Sequence, residues 1–226
     1  MQQESQGRPG SVESLYPFLY SGTANVSALL EHVRASTVAK AGEIMELRRL
    51  IAKLDGARLE RCGDAMAARF AAGGRLFAYG NGGSATDAQQ LATLFLNPGR
   101  GTRALPAFAL GNDTSVVTAL CNDIGVGVVF ARQLAAFGGT NDIAIGLSTS
   151  GSSENLLRAF DEASKRGMLT VGLAGYDGGK MAELDSIDYL FVAPSFSVHR
   201  IQEAQTTVYH VLWELTLAAL TRQEGR

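Results

Sequence analysis

Ser148-Thr149-Ser150-Gly151-Ser152-Ser153 follows an apolar run that ends at Leu147 and precedes a stretch of helical spacing, Glu154 to Lys165. A glycine at such a turn lets backbone N–H groups converge, and the start of a helix adds unpaired donors and a partial positive charge. Hydroxyls surround the same point. The combination predicts a seat for a dianion such as a phosphate. A charge-assisted hydrogen bond contributes roughly 1.5–3 kcal/mol, so three or four can offset the dehydration of a phosphate without any Lys or Arg. The plainer reading is that Ser152 or Ser153 caps the helix, helped by Glu154 or Asn155. A second glycine-rich turn, Gly80-Asn81-Gly82-Gly83-Ser84, follows another apolar run. Two anion-ready turns on one sheet edge favour ligand binding over simple capping. Neither turn leads into GKS or GKT and neither matches GxGxxG, so a nucleotide is not the expected ligand.

These loops need a frame. Beyond Gly73 short β-rich runs alternate with helical stretches, the rhythm of a parallel sheet with crossover helices. The expected strands are Arg75–Tyr79, Ala107–Leu110, Asp142–Leu147, Leu169–Ala174 and Tyr189–Val192. The first four each run into a loop rich in Gly, Ser or Asp: GNGGSATD, GNDTS, STSGSSEN and GYDGGK. In open α/β sheets ligands collect beyond the carboxyl ends of the strands, where those loops lie. The GYDGGK loop reads as structural, with a turn at Asp177 and Gly178, one short helix over Lys180 to Leu184, and Lys180 only a marginal ligand candidate. His199 to about Arg222 reads as one long amphipathic helix. Upstream, Leu29, Val33, Val38, Ile44, Leu47, Ile51, Leu54 and Leu59 recur at helical spacing, and the glycines among them suggest two or three helices. The expected organisation is a polar mobile tail over 1–14, a helical segment over 15–72 and a ligand-binding domain over 73–226.

Hydrophobic residues at 46% and charged residues at 19% of a 226-residue chain fit one well-buried domain. Twenty basic against 22 acidic residues, a net charge of −2, leave no footprint for direct binding of nucleic acid or an anionic membrane. The apolar runs are shorter than the roughly 20 residues of a membrane span, and the opening lacks the pattern of a secretory signal. The cytoplasm is the expected location. Cys62 and Cys121, without CxxC spacing or a nearby His, read as buried free thiols.

Four motifs carry a resemblance in combination: GNGGSATDAQ (80–89), LSTSGSSENLLRAF (147–160), GLAGYDGGKMAELDSIDY (172–189) and RIQEAQTTVYH (200–210). From about Gly73 to Leu217 the chain resembles the phosphoheptose isomerase branch of the SIS-domain proteins, which includes sedoheptulose 7-phosphate isomerase and the DnaA initiator-associating protein. The resemblance implies a doubly wound, five-stranded parallel sheet of the flavodoxin-like kind, with N-terminal helices and a long C-terminal helix. It implies a phosphosugar ligand, with Asn81 and Ser84 lining its pocket, Asp113 contacting the sugar, and Ser148, Thr149, Ser150 and Ser153 on the phosphate. Gln202 and His210 match residues that the isomerases use as zinc ligands, the His also in proton transfer. A homotetramer with the pocket between subunits is implied as well.

The chain departs from that pattern on the helix after GNGGS. There the isomerases carry a His and, four residues on, a Glu, a step that puts both on one helical face. Here the positions hold Gln90 and Leu94. Aldose–ketose isomerisation needs a base, worth roughly 10²–10⁴-fold in rate, and leucine cannot supply it. With two of the inferred ligands gone, only Gln202 and His210 remain for zinc, so no cofactor is expected. Those two lie about 80° apart around a helix of 3.6 residues per turn and can face one pocket. His210 is the catalytic candidate, and the alternative for it is a buried structural histidine. Three functions follow as expectations: a phosphosugar-binding protein without isomerase activity, a sensor or the partner of an active paralogue; an isomerase using His210 with another base; or a tetrameric adaptor with protein partners.

Overall fold

The structure, a computed structural model, describes residues 26–99 and 101–224; the expected tail over 1–14 lies outside them. Two compact units divide the chain, Met1–Glu43 and Ile44–Arg226. The first described element is a single helix, α1 (Val26–Ala71), of 46 residues. This corrects the expectation of two or three helices. Gly42, Gly56 and Gly63 suggest breaks in the sequence, but a glycine inside a helix costs only about 1 kcal/mol relative to alanine, which packing can offset. In the second unit the helix buries one stripe, Ile44, Leu47, Ile51, Leu59, Cys62, Met66 and Phe70, at steps of three and four or their sums. Leu54 falls off that stripe and is exposed, as are Leu29, Val33 and Val38 in the first unit.

The strands are β1 (Leu76–Gly80), β2 (Ala107–Ala109), β3 (Ile143–Leu147), β4 (Leu169–Gly175) and β5 (Tyr189–Ala193). All neighbours run parallel in the order β2-β1-β3-β4-β5. Each boundary lies within one residue of the expected one. The helices that follow α1 are α2 (Gly83–Leu96), α3 (Thr114–Asp123), α4 (Val129–Phe137), α5 (Glu154–Lys165) and α6 (Val198–Glu224). Strand alternation divides the core into two layers. Leu76, Ala78, Ile143, Ile145, Leu169, Val171 and Leu173 meet α1, α2 and α6 on one face. Phe77, Tyr79 and Ala144 meet α4 and α5 on the other.

With this order the chain reverses its winding between β1 and β3, and the crevice at their carboxyl ends is where a doubly wound sheet opens to a ligand. The GNGGS turn follows β1 and the STSGSS turn follows β3, so both expected anion-ready turns face the same crevice. Cys62 is buried, which pushes its thiol up to about 12. Cys121, expected to be buried, is only half-buried, because α3 buries none of its residues fully.

Candidate functional site

The β3–α5 junction is a loop braced from within. The buried Ser148 hydroxyl accepts the Gly151 N–H at 3.0 Å, and Ser150 Oγ accepts the Ser152 N–H at 3.3 Å. Gly151 takes a φ of 63°, and a Cβ there would fall 2.0 Å from the Gly178 carbonyl oxygen. The GYDGGK loop is therefore packed directly against the serine loop. Met181 N–H donates to the Gly151 carbonyl at 2.8 Å and Lys180 N–H to Ser152 Oγ at 3.3 Å. This is the structural role expected of that loop, and its short helix is a 3₁₀ turn over Gly179–Glu183.

Ser153 occupies the N-cap position of α5, but its side chain makes no capping bond. The plain capping reading thus does not account for its hydroxyl. Among the described residues, no hydrogen bond to protein runs from the N–H groups of Thr149, Ser150, Ser153 or Glu154. Unspent amides at a helix start, beside the hydroxyl-bearing Thr149, Ser150 and Ser153, are the kind of donors that can hold an anion without a cation.

The other turn is tied to the same place. Asn81 and Asn155 exchange two amide hydrogen bonds of 2.9 Å, joining the β1–α2 turn to the first turn of α5. Ser84 is buried in the first turn of α2. Gln205 on α6 is 2% exposed and donates to the carbonyls of Ser148 at 3.3 Å and Leu173 at 3.1 Å. It pins the serine loop to the end of the sheet.

Where α2 meets α6 the chemistry is different. Gln202 Nε2 donates to Asp87 Oδ2 at 2.8 Å, and Tyr209 OH donates to Gln90 Oε1 at 3.3 Å. Leu94 is half-buried against the core. Asp87 is buried, and that burial raises its pKa above the ordinary 3.8, an effect partly opposed by the Gln202 bond. His210 is exposed rather than buried, with Nδ1 2.8 Å from the Thr206 carbonyl. A carbonyl only accepts, so Nδ1 is the donor in this contact. Glu203 pairs with Arg200 instead of turning toward Gln202.

Asp113 stands apart. Its Oδ1 accepts the Val116 N–H at 3.0 Å as the N-cap of α3, and it borders a cavity of about 450 Å³ beside β2, with Phe77, Gln89, Phe108 and Gln133. Neither anion-ready turn lines that cavity. Sequence reasoning misses Asp87, Asn155 and Gln205 as parts of the site. The available signal is a helical step: Asp87 lies three residues before Gln90, and Gln205 three after Gln202.

Fold and site together define a doubly wound α/β domain built to hold a ligand at its switch point. The chain matches the SIS domain over residues 41–175. It is 44% identical over 144 residues to phosphoheptose isomerase of Thermodesulfovibrio yellowstonii, covering 63% of this chain and 71% of that protein. Identity to the Pelodictyon phaeoclathratiforme phosphoheptose isomerase is 42% over 173 residues, 75% of this chain and 82% of the relative. The structure of phosphoheptose isomerase from Neisseria gonorrhoeae superposes with a TM-score of 0.75 at 32% identity, over 81% of this chain and 98% of that one. The protein belongs to the SIS-domain family, on its phosphoheptose isomerase branch.

Proposed function

We propose that the protein binds a phosphosugar, of the heptose 7-phosphate kind or similar, without efficient isomerase activity. The observation that carries this reading is the pairing of an intact anion seat with a neighbouring face that lacks the base. Thr149, Ser150 and Ser153 present hydroxyls beside free amides, and Ser148 braces the loop. The neighbouring face holds Gln90, whose carbonyl oxygen is taken by Tyr209, and Leu94, which has no proton to give or accept. Asn81, Ser84 and Gln202 would border the sugar, with His210 the candidate for proton transfer. Asp113 would take part only if the ligand reached toward β2.

The remaining donors do not suit zinc. Leu94 offers none, Gln90 and Gln202 offer neutral amides, and a stable site usually has at least three protein ligands. Among the described residues there is no cluster of three or more His, Cys, Asp or Glu placed to share an ion. The proposed function therefore includes no metal-dependent step. The binding domain is taken as residues 73–226, and a homotetramer is the expected form. Exposed Leu29, Leu30, Val33 and Val38 on α1 are apolar surface that self-association could cover. The cytoplasm is the proposed setting. Among the described residues no helix is long and apolar enough to cross a membrane.

The test has two arms. Sedoheptulose 7-phosphate should raise the melting temperature, and a coupled assay for the heptose product should show no appreciable turnover. Clear turnover would replace this reading with an isomerase using His210 and another base. No shift from any sugar phosphate would favour an adaptor.

A further inference from the structure

The Gln202 amide is held in one orientation by a carboxylate that has no other evident task. Asp87 is 9% exposed, and its Oδ2 accepts from Gln202 Nε2 at 2.8 Å. Among the described residues it joins no ion pair with Lys, Arg or His. A buried charge without a cation is costly, and a core position with no further role would be better filled by an apolar side chain. An ionised carboxylate only accepts hydrogen bonds, so it admits the NH₂ end of Gln202 and rejects the carbonyl end. The amide rests on the start of α2: a Cβ on Gly83 would lie 2.6 Å from Gln202 Nε2 and 3.2 Å from Oε1. Gln202 Oε1 accepts no bond among the described residues.

We propose that Asp87 is a positioning residue: by fixing the Gln202 amide over Gly83, it turns the carbonyl oxygen to the ligand and makes Gln202 an acceptor for a sugar hydroxyl. The inference rests on the phosphosugar reading above and deepens it. The seat at the β3–α5 junction recognises phosphate, whatever is attached. An acceptor on α6 selects for a polyol portion that can donate. Asparagine at 87 would offer Gln202 either end of an amide and would release the lock while keeping the shape.

Calorimetric titration of the full chain with sedoheptulose 7-phosphate and, separately, with inorganic phosphate tests this. Asp87→Asn should weaken the sugar phosphate about tenfold, the scale of one net hydrogen bond, and leave inorganic phosphate unchanged. Gly83→Ala, whose Cβ would meet the far end of the Gln202 side chain first, should produce the same selective loss and guards against a folding defect in the first variant. In a Gln202→Met background Asp87→Asn should have no further effect, because the carboxylate acts through the amide. Equal weakening of both ligands, no weakening of either, or an Asp87→Asn effect that survives in Gln202→Met would overturn the inference alone. A wild type that binds inorganic phosphate but not the sugar phosphate, or binds neither, would overturn the phosphosugar reading and this inference with it.

Discussion

The β3–α5 junction and the face where α2 meets α6 border one crevice and are made of opposite materials. The first is backbone and hydroxyl: its donors come from a helix start and a glycine turn, and the serine loop is clamped by Gln205 and by the 178–181 segment. The second is side chain against side chain, and its contacts are amide to carboxylate and phenol to amide. Binding an anion needs only convergent donors, so the first region is complete in itself. Moving a proton needs a group of suitable basicity at one place, so on the proposed reading the leucine at 94 would affect the second region and not the first. On the proposed reading, binding and proton transfer are separable because they would rest on different elements.

The contrast is broken most severely at Gly151. Gly151→Val should destabilise the chain by about 3 kcal/mol or more, since the left-handed φ and the clash with Gly178 act together. Urea unfolding would show the loss, and the sugar-phosphate melting shift should vanish. Next in size, Thr149→Ala with Ser150→Ala should weaken sedoheptulose 7-phosphate about a hundredfold, two charge-assisted bonds being removed, with little change in the melting temperature of the free protein. An unchanged shift would move the ligand away from this loop.

Gln90→His with Leu94→Glu probes the contrast from the other side. If only those groups are lacking, turnover should rise about a hundredfold over the wild-type background in the coupled assay, at some cost in stability because Leu94 is half-buried. Failure to gain activity despite intact binding would mean that the α2–α6 face differs in more than two residues. The smallest expected effect is on pH dependence. The folded pKa of Asp87 lies above its ordinary 3.8, so the folded state holds that proton more tightly than the unfolded one. Stability from this group is therefore present below the unfolded value and lost as pH rises through the folded value. Urea midpoints measured upward from about pH 4 should carry that decline in the wild type and lose it in Asp87→Asn.

Much of the fold is legible in the chain. The five strands can be read because each is a short apolar run, the first four ended by a Gly, Ser or Asp loop, and helix α5 because Ser153 and Lys165 bracket one amphipathic stretch. Helix α1 is legible as helix but not as one helix, because glycine punctuates a sequence more strongly than it breaks a packed element. Asp87 and Gln205 escape notice because a single polar residue on a helix looks like solvent-facing surface. Only the partner across the fold, Gln202 in one case and the Ser148 and Leu173 carbonyls in the other, shows otherwise. His210 lies among apolar neighbours in sequence and is still exposed, because its place around α6 rather than its neighbours sets its direction.

Local spacing and residue type are enough to set the alternation of parallel strands with helices and the two glycine-bearing turns, and the motifs of a resemblance add the doubly wound sheet and the meaning of Gln90 and Leu94. Packing of the folded chain settles the rest: which donors remain unspent, which carboxylate meets Gln202, and that Asp113 lies by β2 and away from the serine loop. Those outcomes depend on contacts between segments far apart in the chain, and no local pattern encodes the distance between two helices.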